Sequence, residues 1–327
     1  MKNKKRIIQV ILMLFCLTSI ISCSSESTPT INNTTTEGNI LRSYVSGDGF
    51  AKLEHVFGNN GTRYDKILYN NSTRYMQFVY NSNNKMTQIL LGPDTSPFPS
   101  KTNFYYDNSG KIIKMELDNR YPGSTGTLKT YLFTYNINEI IQELVSDEDP
   151  NYNHIRIRYK FNNDGLLIAK HEYSDSPNNT YVFTQYYQSF LYDNNKNIIS
   201  IKATPNSTHD LPDSPVSNPQ TRTTTYEYDN KVNPMHTIFM NHYLNYILSN
   251  NLACGIVQGN VQDRVLSIGT NNLTKSIFPS DPQLGTPIDN EYKNVFTYQQ
   301  NNLPIKLSRV SMVDNREVSS ITINYGN

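Results

Sequence analysis

Phe104–Leu117, FYYDNSGKIIKMEL, reads as a single β-hairpin, and the rest of the chain is built on copies of it. In a strand, residues two apart point to the same face, so Phe104 and Tyr106 stand side by side. Asp107-Asn108-Ser109-Gly110 supplies turn chemistry: Asp and Asn side chains bond to nearby backbone, and Gly accepts a positive φ. From Ile112 a second extended run leaves the turn.

Aligned on Tyr106, the equivalent ring pairs are Phe78/Tyr80, Phe133/Tyr135, Tyr159/Phe161, Phe190/Tyr192, Tyr226/Tyr228 and Phe296/Tyr298. These fourteen residues form the expected repeat core. An Asn or Asp follows six of the seven pairs, at Asn81, Asp107, Asn136, Asn162, Asp193 and Asp229, with Gln299 in the seventh. Six places after each anchor stand Met86, Ile112, Ile141, Leu167, Ile198, Pro234 and Pro304. Anchor spacings are 26, 29, 26, 31 and 36, and then 70, which reads as about two periods with an insertion. A constant hairpin joined by variable loops signals an array in which each unit buries its face against its neighbours.

The pattern resembles the YD (RHS-type) repeat. YEYDNKVNP at Tyr226–Pro234, NNLTK at Asn271–Lys275 and VFTYQQNNLPIKL at Val295–Leu307 are similar to a narrower group. These are lipoproteins of the Bacteroidota, of unknown function, described as having a porin-like β fold. The likeness covers residues 50–327 and implies that fold without implying an activity. The expected architecture is mainly all-β. It is a single large antiparallel meander of repeated hairpins, forming a curved sheet or porin-like barrel.

Ile155, Ile157, Tyr159 and Phe161 alternate with Arg156, Arg158, Lys160 and Asn162, which reads as a half-buried antiparallel strand. An outward row of cations at bilayer depth would cost several kcal/mol, so "porin-like" is expected to describe shape rather than a membrane span. Met235–Leu248, MHTIFMNHYLNYIL, has apolar residues at spacings of three and four. It is expected to form one short amphipathic helix that plugs or caps an end of the sheet. In a hairpin meander, the Asn/Asp turns should line one rim. The longer stretches (93–100, 120–127, 147–153, 174–179, 205–219 and 280–289) should line the other, where recognition belongs.

The N-terminus reads as a processing signal. Lys2, Lys4, Lys5 and Arg6 precede the apolar run Ile7–Ile21, which ends in Ile20-Ile21-Ser22-Cys23. This resembles a bacterial lipobox with Cys23 as the lipidated residue, giving a signal peptide over 1–22, a flexible tether over 23–39 and a repeat domain over 40–327. Ser24 resembles the outer-membrane sorting choice, with the periplasmic or surface side left open. The mature chain would have 305 residues with 25 basic against 28 acidic, which offers no basic field for nucleic acid. Cys254 would remain alone, so no intramolecular disulfide is expected.

Catalytic chemistry is not evident. The six histidines have no zinc-site spacing, and no HExxH, GxSxG, glycine-rich phosphate loop or CxxC occurs. Asp147-Glu148-Asp149 could meet calcium but lacks the spaced ligand loop, so a solvated acidic loop is expected. The 24 tyrosines could stack on sugars, yet the paired rings sit where a core should be. No catalytic residue, cofactor or metal is expected. The leading expectation is a monomeric, non-enzymatic, membrane-anchored envelope protein that binds a ligand or partner through the long-loop rim. The alternative is a glycan-binding protein or glycoside hydrolase at the outer membrane.

Overall fold

The computed structural model describes residues 40–47, 53–70, 73–92, 100–120, 126–147, 154–175, 182–208, 221–249, 269–277 and 292–326. All of them belong to the unit formed by residues 37–327. Cys23, Cys254, 261–268 and most of the long-loop stretches lie outside the described residues.

The ring pairs do what spacing two requires, and each opens a hairpin. The strands are β1 (Ile40–Gly47), β2 (Leu53–Gly58), β3 (Arg63–Tyr69), β4 (Thr73–Tyr80), β5 (Met86–Leu91) and β6 (Ser100–Tyr106). Next come β7 (Ile112–Asp118), β8 (Leu128–Asn136), β9 (Glu139–Asp147), β10 (His154–Phe161), β11 (Leu167–Asp175) and β12 (Val182–Tyr192). The last six are β13 (Ile198–Thr208), β14 (Arg222–Val232), β15 (Asn271–Ile277), β16 (Tyr292–Tyr298), β17 (Pro304–Ser311) and β18 (Glu317–Gly326). Consecutive strands pair antiparallel, and β1 pairs with β18 (Ile40 opposite Gly326, Ser46 opposite Ile321), so the meander bends round into a nearly closed barrel. β15 and β16 are hydrogen-bonded neighbours in this order, and Asn294 Nδ2 donates across them to Leu273 O at 3.1 Å.

Five hairpins share one turn. In the β6–β7 hairpin, Asp107 N donates to Lys111 O (2.9 Å) and Gly110 N to Asp107 O (3.0 Å). The Asp107 carboxylate accepts Lys111 N at 2.8 Å. The same two backbone bonds recur at Asn81/Lys85, Asn162/Leu166, Asp193/Asn197 and Gln299/Leu303. Each turn needs a left-handed residue at its fourth place: Asn84 (φ 59°), Gly110 (88°), Gly165 (75°), Lys196 (65°) and Asn302 (64°). Glycine is therefore dispensable at this place, and asparagine tolerates it. A one-residue bulge just before each turn keeps the last ring pointing inward, as between Tyr105 and Tyr106.

Antiparallel partners face the same side, and the inner wall holds the core. Phe78, Phe104, Phe133, Tyr159, Phe161 and Tyr226 are buried, while Tyr80, Tyr106, Tyr135, Phe190, Tyr192, Tyr228, Phe296 and Tyr298 are half-buried. The outer wall carries ion pairs instead: Arg156 to Glu143 (2.8 Å), Arg158 to Glu139 (2.7 Å) and Lys306 to Glu317 (2.7 Å). Rings inside and paired charges outside invert what a lipid-embedded barrel requires. No helix among the described residues is long and apolar enough to cross a membrane.

The expected helix is present as two short ones, α1 (Met235–Met240) and α2 (Tyr243–Leu248). They break at His242, which leaves helical geometry at φ −131°, ψ 29°. Pro234 caps α1 instead of starting a strand. The interval of 70 residues accordingly holds a hairpin, β14–β15, with residues inserted at its turn. Val232 pairs with Asn271, and Asn233 N closes on Thr270 O at 2.9 Å.

Candidate functional site

The topology separates two rims of the barrel. The five repeated turns, the Gly58–Thr62 turn and the insertion share one of them. The start of β1 is there too: a Cβ on Gly61 would stand 2.7 Å from Leu41 O. The segments joining β1–β2, β5–β6, β7–β8, β9–β10, β11–β12, β13–β14 and β15–β16 fall on the opposite rim.

The short-turn rim is filled from within. Ile238, Phe239, Tyr243, Tyr246 and Leu248 are buried in the same cluster as Tyr64, Phe78, Met86 and Phe104. Three polar contacts seat the helices: Asn241 Nδ2 to Thr62 O (2.8 Å), Asn245 Nδ2 to Tyr106 OH (2.8 Å) and Leu167 N to Tyr243 OH (2.8 Å). This is the plug that the amphipathic spacing predicts, held by three widely separated repeats.

A second feature escaped the sequence reading. In five of the seven pairs the hydroxyl of the second ring donates to a backbone carbonyl of the preceding hairpin. Tyr80 reaches Tyr64 O (2.6 Å), Tyr106 reaches Met86 O (2.5 Å) and Tyr135 reaches Ile112 O (3.0 Å). Tyr192 reaches Leu167 O (2.8 Å), Tyr228 reaches Ile198 O (2.8 Å), and Tyr325 extends the series to Pro304 O (3.0 Å). Burial drives these phenols upward, Tyr135 to about 12, so they stay protonated donors. The signal was present in the chain: the second ring is Tyr in six of seven pairs, the first in two. Tyr298 instead donates to the Asp229 carboxylate, and Phe161, which has no hydroxyl, follows the described turn without the bulge, Asn136–Glu139. There Phe161 N donates to Asn138 O (2.9 Å), and Tyr159 OH turns to Gln142 Oε1 (2.7 Å).

Further from the plug the inner wall becomes polar. Lys170 pairs with Tyr159 and Glu172 with Ile157, which puts both on the inner face. Lys170 is 5% exposed, and its Nζ lies 3.4 Å from Glu172 Oε2. Gln142 and Tyr159 are beside them on β9 and β10. On β17, Arg309 lies inward over the Tyr292 ring, 4.4 Å from its centroid. A buried ion pair is stabilising only where further hydrogen bonds complete it, and an apolar wall would serve packing as well. These groups make this part of the inner wall polar where the plug end is apolar.

At β14–β15 the turn is replaced by a polar knot. Asp229 accepts from Lys231 N (2.9 Å), Asn272 N (3.2 Å) and Tyr298 OH. Asn271 Nδ2 donates to Lys231 O (3.1 Å), and Asn197 joins both sides through Asp193 and Asn271 (2.9 Å each).

The described histidines are dispersed: His55 in the core, His171 against Tyr187 (5.3 Å), His236 on α1 and His242 in the plug. No three His, Cys, Asp or Glu converge as a metal set among the described residues. Of the acidic stretch expected to be a solvated loop, Glu148 and Asp149 lie outside them.

No family model matches the chain, and no curated protein matches it. Among solved structures it is similar to a porin-like protein from Bacteroides vulgatus, at 13% identity and a TM-score of 0.38, covering 88% of this chain and 99% of that one. It is also similar to a porin-like protein from Bacteroides uniformis, at 12% identity and a TM-score of 0.43, covering 89% of this chain and 98% of that one.

Proposed function

We propose that this chain is a non-enzymatic lipoprotein of the cell envelope, tethered through lipid on Cys23, that binds a ligand or envelope partner at its long-loop rim. The observation behind this reading is the sharing of one rim by the plug and by Ile40, where β1 begins. The chain enters the barrel at the plugged rim, so the long-loop rim and the Lys170–Glu172 wall lie at the end of the barrel opposite the attachment point of the tether. The charged outer wall supports a tethered barrel over an embedded one. The Tyr226–Pro234 and Val295–Leu307 motifs support the lipoprotein resemblance.

Membrane fractionation of the Cys23→Ala variant tests the anchor: the variant is expected in the soluble fraction, and its retention in membranes would remove the tether from the reading. A photocrosslinker at Ser100, on the long-loop rim, is expected to capture a partner in cells. One at Asn83, in a short turn, is expected to capture none. The reverse pattern would move the binding face to the plugged rim.

A further inference from the structure

We propose that the α1–α2 insertion is an acid-released stopper, latched by a neutral His242 packed against Tyr80, whose ring also meets the Arg63 guanidinium. The inference is independent of the ligand reading above. His242 is at the break between the two helices and is 5% exposed, and its ring centroid lies 5.0 Å from that of Tyr80. Its Nε2 is buried without a hydrogen-bond partner among the described residues. The Arg63 guanidinium lies 4.2 Å from the centroid of the Tyr80 ring and is held by Asn84 Oδ1.

Other groups face this joint from the surrounding elements. Asp65 and Arg63 come from β3, Tyr80 from β4, Tyr106 from β6 and Tyr246 from α2, with Lys85 of the β4–β5 turn one ring further away, over Tyr106 at 5.3 Å. Asp65 is the one carboxylate in this set, and Arg63 is the cation beside Tyr80. A proton on His242 would add a second cation beside Arg63 at a site that gives Nε2 no acceptor among the described residues, and a buried unpaired charge is strongly unfavourable. The docking contacts can yield as a unit. They include a few side-chain hydrogen bonds and the buried faces of two six-residue helices, while the barrel ladders do not run through them.

Burial, and then Arg63, hold His242 down at about 4. A released histidine would titrate near 6.5. Neutral histidine is thus favoured when docked. The docking contribution is complete above about pH 6.5, falls as pH drops through that value, and levels off below about 4. Linkage then raises the released fraction about 30-fold between about pH 7.5 and pH 5.

Hydrogen exchange of the full chain, corrected for the intrinsic effect of pH on exchange, reads this directly. Peptides covering 235–248 are expected to exchange about 30-fold faster near pH 5 than near pH 7.5, with β8–β9 peptides unchanged. His242→Gln should abolish the increase. His55→Gln, at the other buried histidine of this core, should keep it. Arg63→Gln should shrink it, and this variant decides the matter if His242→Gln fails to form the barrel. Loss of protection in plug and barrel together, a full increase in His242→Gln or in Arg63→Gln, or no increase in the parent chain would overturn the proposal.

Discussion

The β6–β7 and β14–β15 hairpins start from the same local code and end differently. In the first, Asp107 closes a four-residue turn onto its own backbone. In the second, Asp229 has no such turn to close, because residues 233–270 are inserted there. Its carboxylate is satisfied instead by Lys231, Asn272 and Tyr298, the last from the next repeat. Yet the rings before each turn make the same contact, Tyr106 to Met86 O and Tyr228 to Ile198 O. What the repeat conserves, therefore, is the bond between hairpins, while closure of the turn within a hairpin can be replaced.

Removing a ring from each hairpin should give the largest difference. Phe104 is deep in the main cluster that also holds the plug, whereas Phe296 on β16 is only half-buried. Phe104→Ala should cost about 3–5 kcal/mol in urea unfolding, and Phe296→Ala clearly less. Equal losses would mean that the wall around β16 is as tightly packed as the plugged side.

The polar knot sharpens the contrast next. Asn272 is 1% exposed, and its amide reaches Asp229, Lys231 O, Val232 O and Tyr298 OH. Asn272→Ala should cost about 2 kcal/mol, since it leaves buried acceptors unmet. Asn108→Ala, at an exposed place in the regular turn, should be silent in the same measurement.

Much of this contrast was legible in the chain, for identifiable reasons. Period-two spacing put Phe104 and Tyr106 on one face, and Asp107 with Gly110 marked the turn; both signals are local. Spacings of three and four in Met235–Leu248 marked the plug. What stayed hidden depends on residues distant in sequence. The β1–β18 ladder that brings the ring round joins Ile40 to Gly326, and nothing in either strand names the other. Lys170 and Glu172 look like an exposed strand face until the bulge near Phe161 shifts the register and turns them inward. Pro234, six after Tyr228, matched the repeat arithmetic but begins a helix, because an insertion of unknown length defeats counting.

The hydroxyl ladder separates the two uses of a ring at smaller amplitude. Tyr135→Phe removes a single donor to Ile112 O and should cost about 1 kcal/mol. Tyr106→Phe removes a donor to Met86 O and also the acceptor of Asn245 Nδ2. It should cost more than Tyr135→Phe, and it should loosen residues 235–248 in hydrogen exchange, which Tyr135→Phe should not. If both variants leave the plug equally protected, the Asn245 contact does not help hold it.

The smallest effect concerns Lys196, which occupies the left-handed place that Gly110 fills in the β6–β7 turn. A side chain there crowds its own carbonyl by about 1–2 kcal/mol, while glycine costs up to about 1 kcal/mol more entropy on folding. The weak contact of Lys196 Nζ with Asp164, at 4.0 Å between exposed groups, offsets little. Lys196→Gly should therefore stabilise the chain by about 0.5 kcal/mol, read as a higher urea midpoint with an unchanged slope. Gly110→Ala should move the midpoint the other way, since alanine there acquires the crowding without any compensating contact. A destabilised Lys196→Gly would show that the β12–β13 turn draws on its lysine for more than geometry, and the five turns would then no longer be interchangeable.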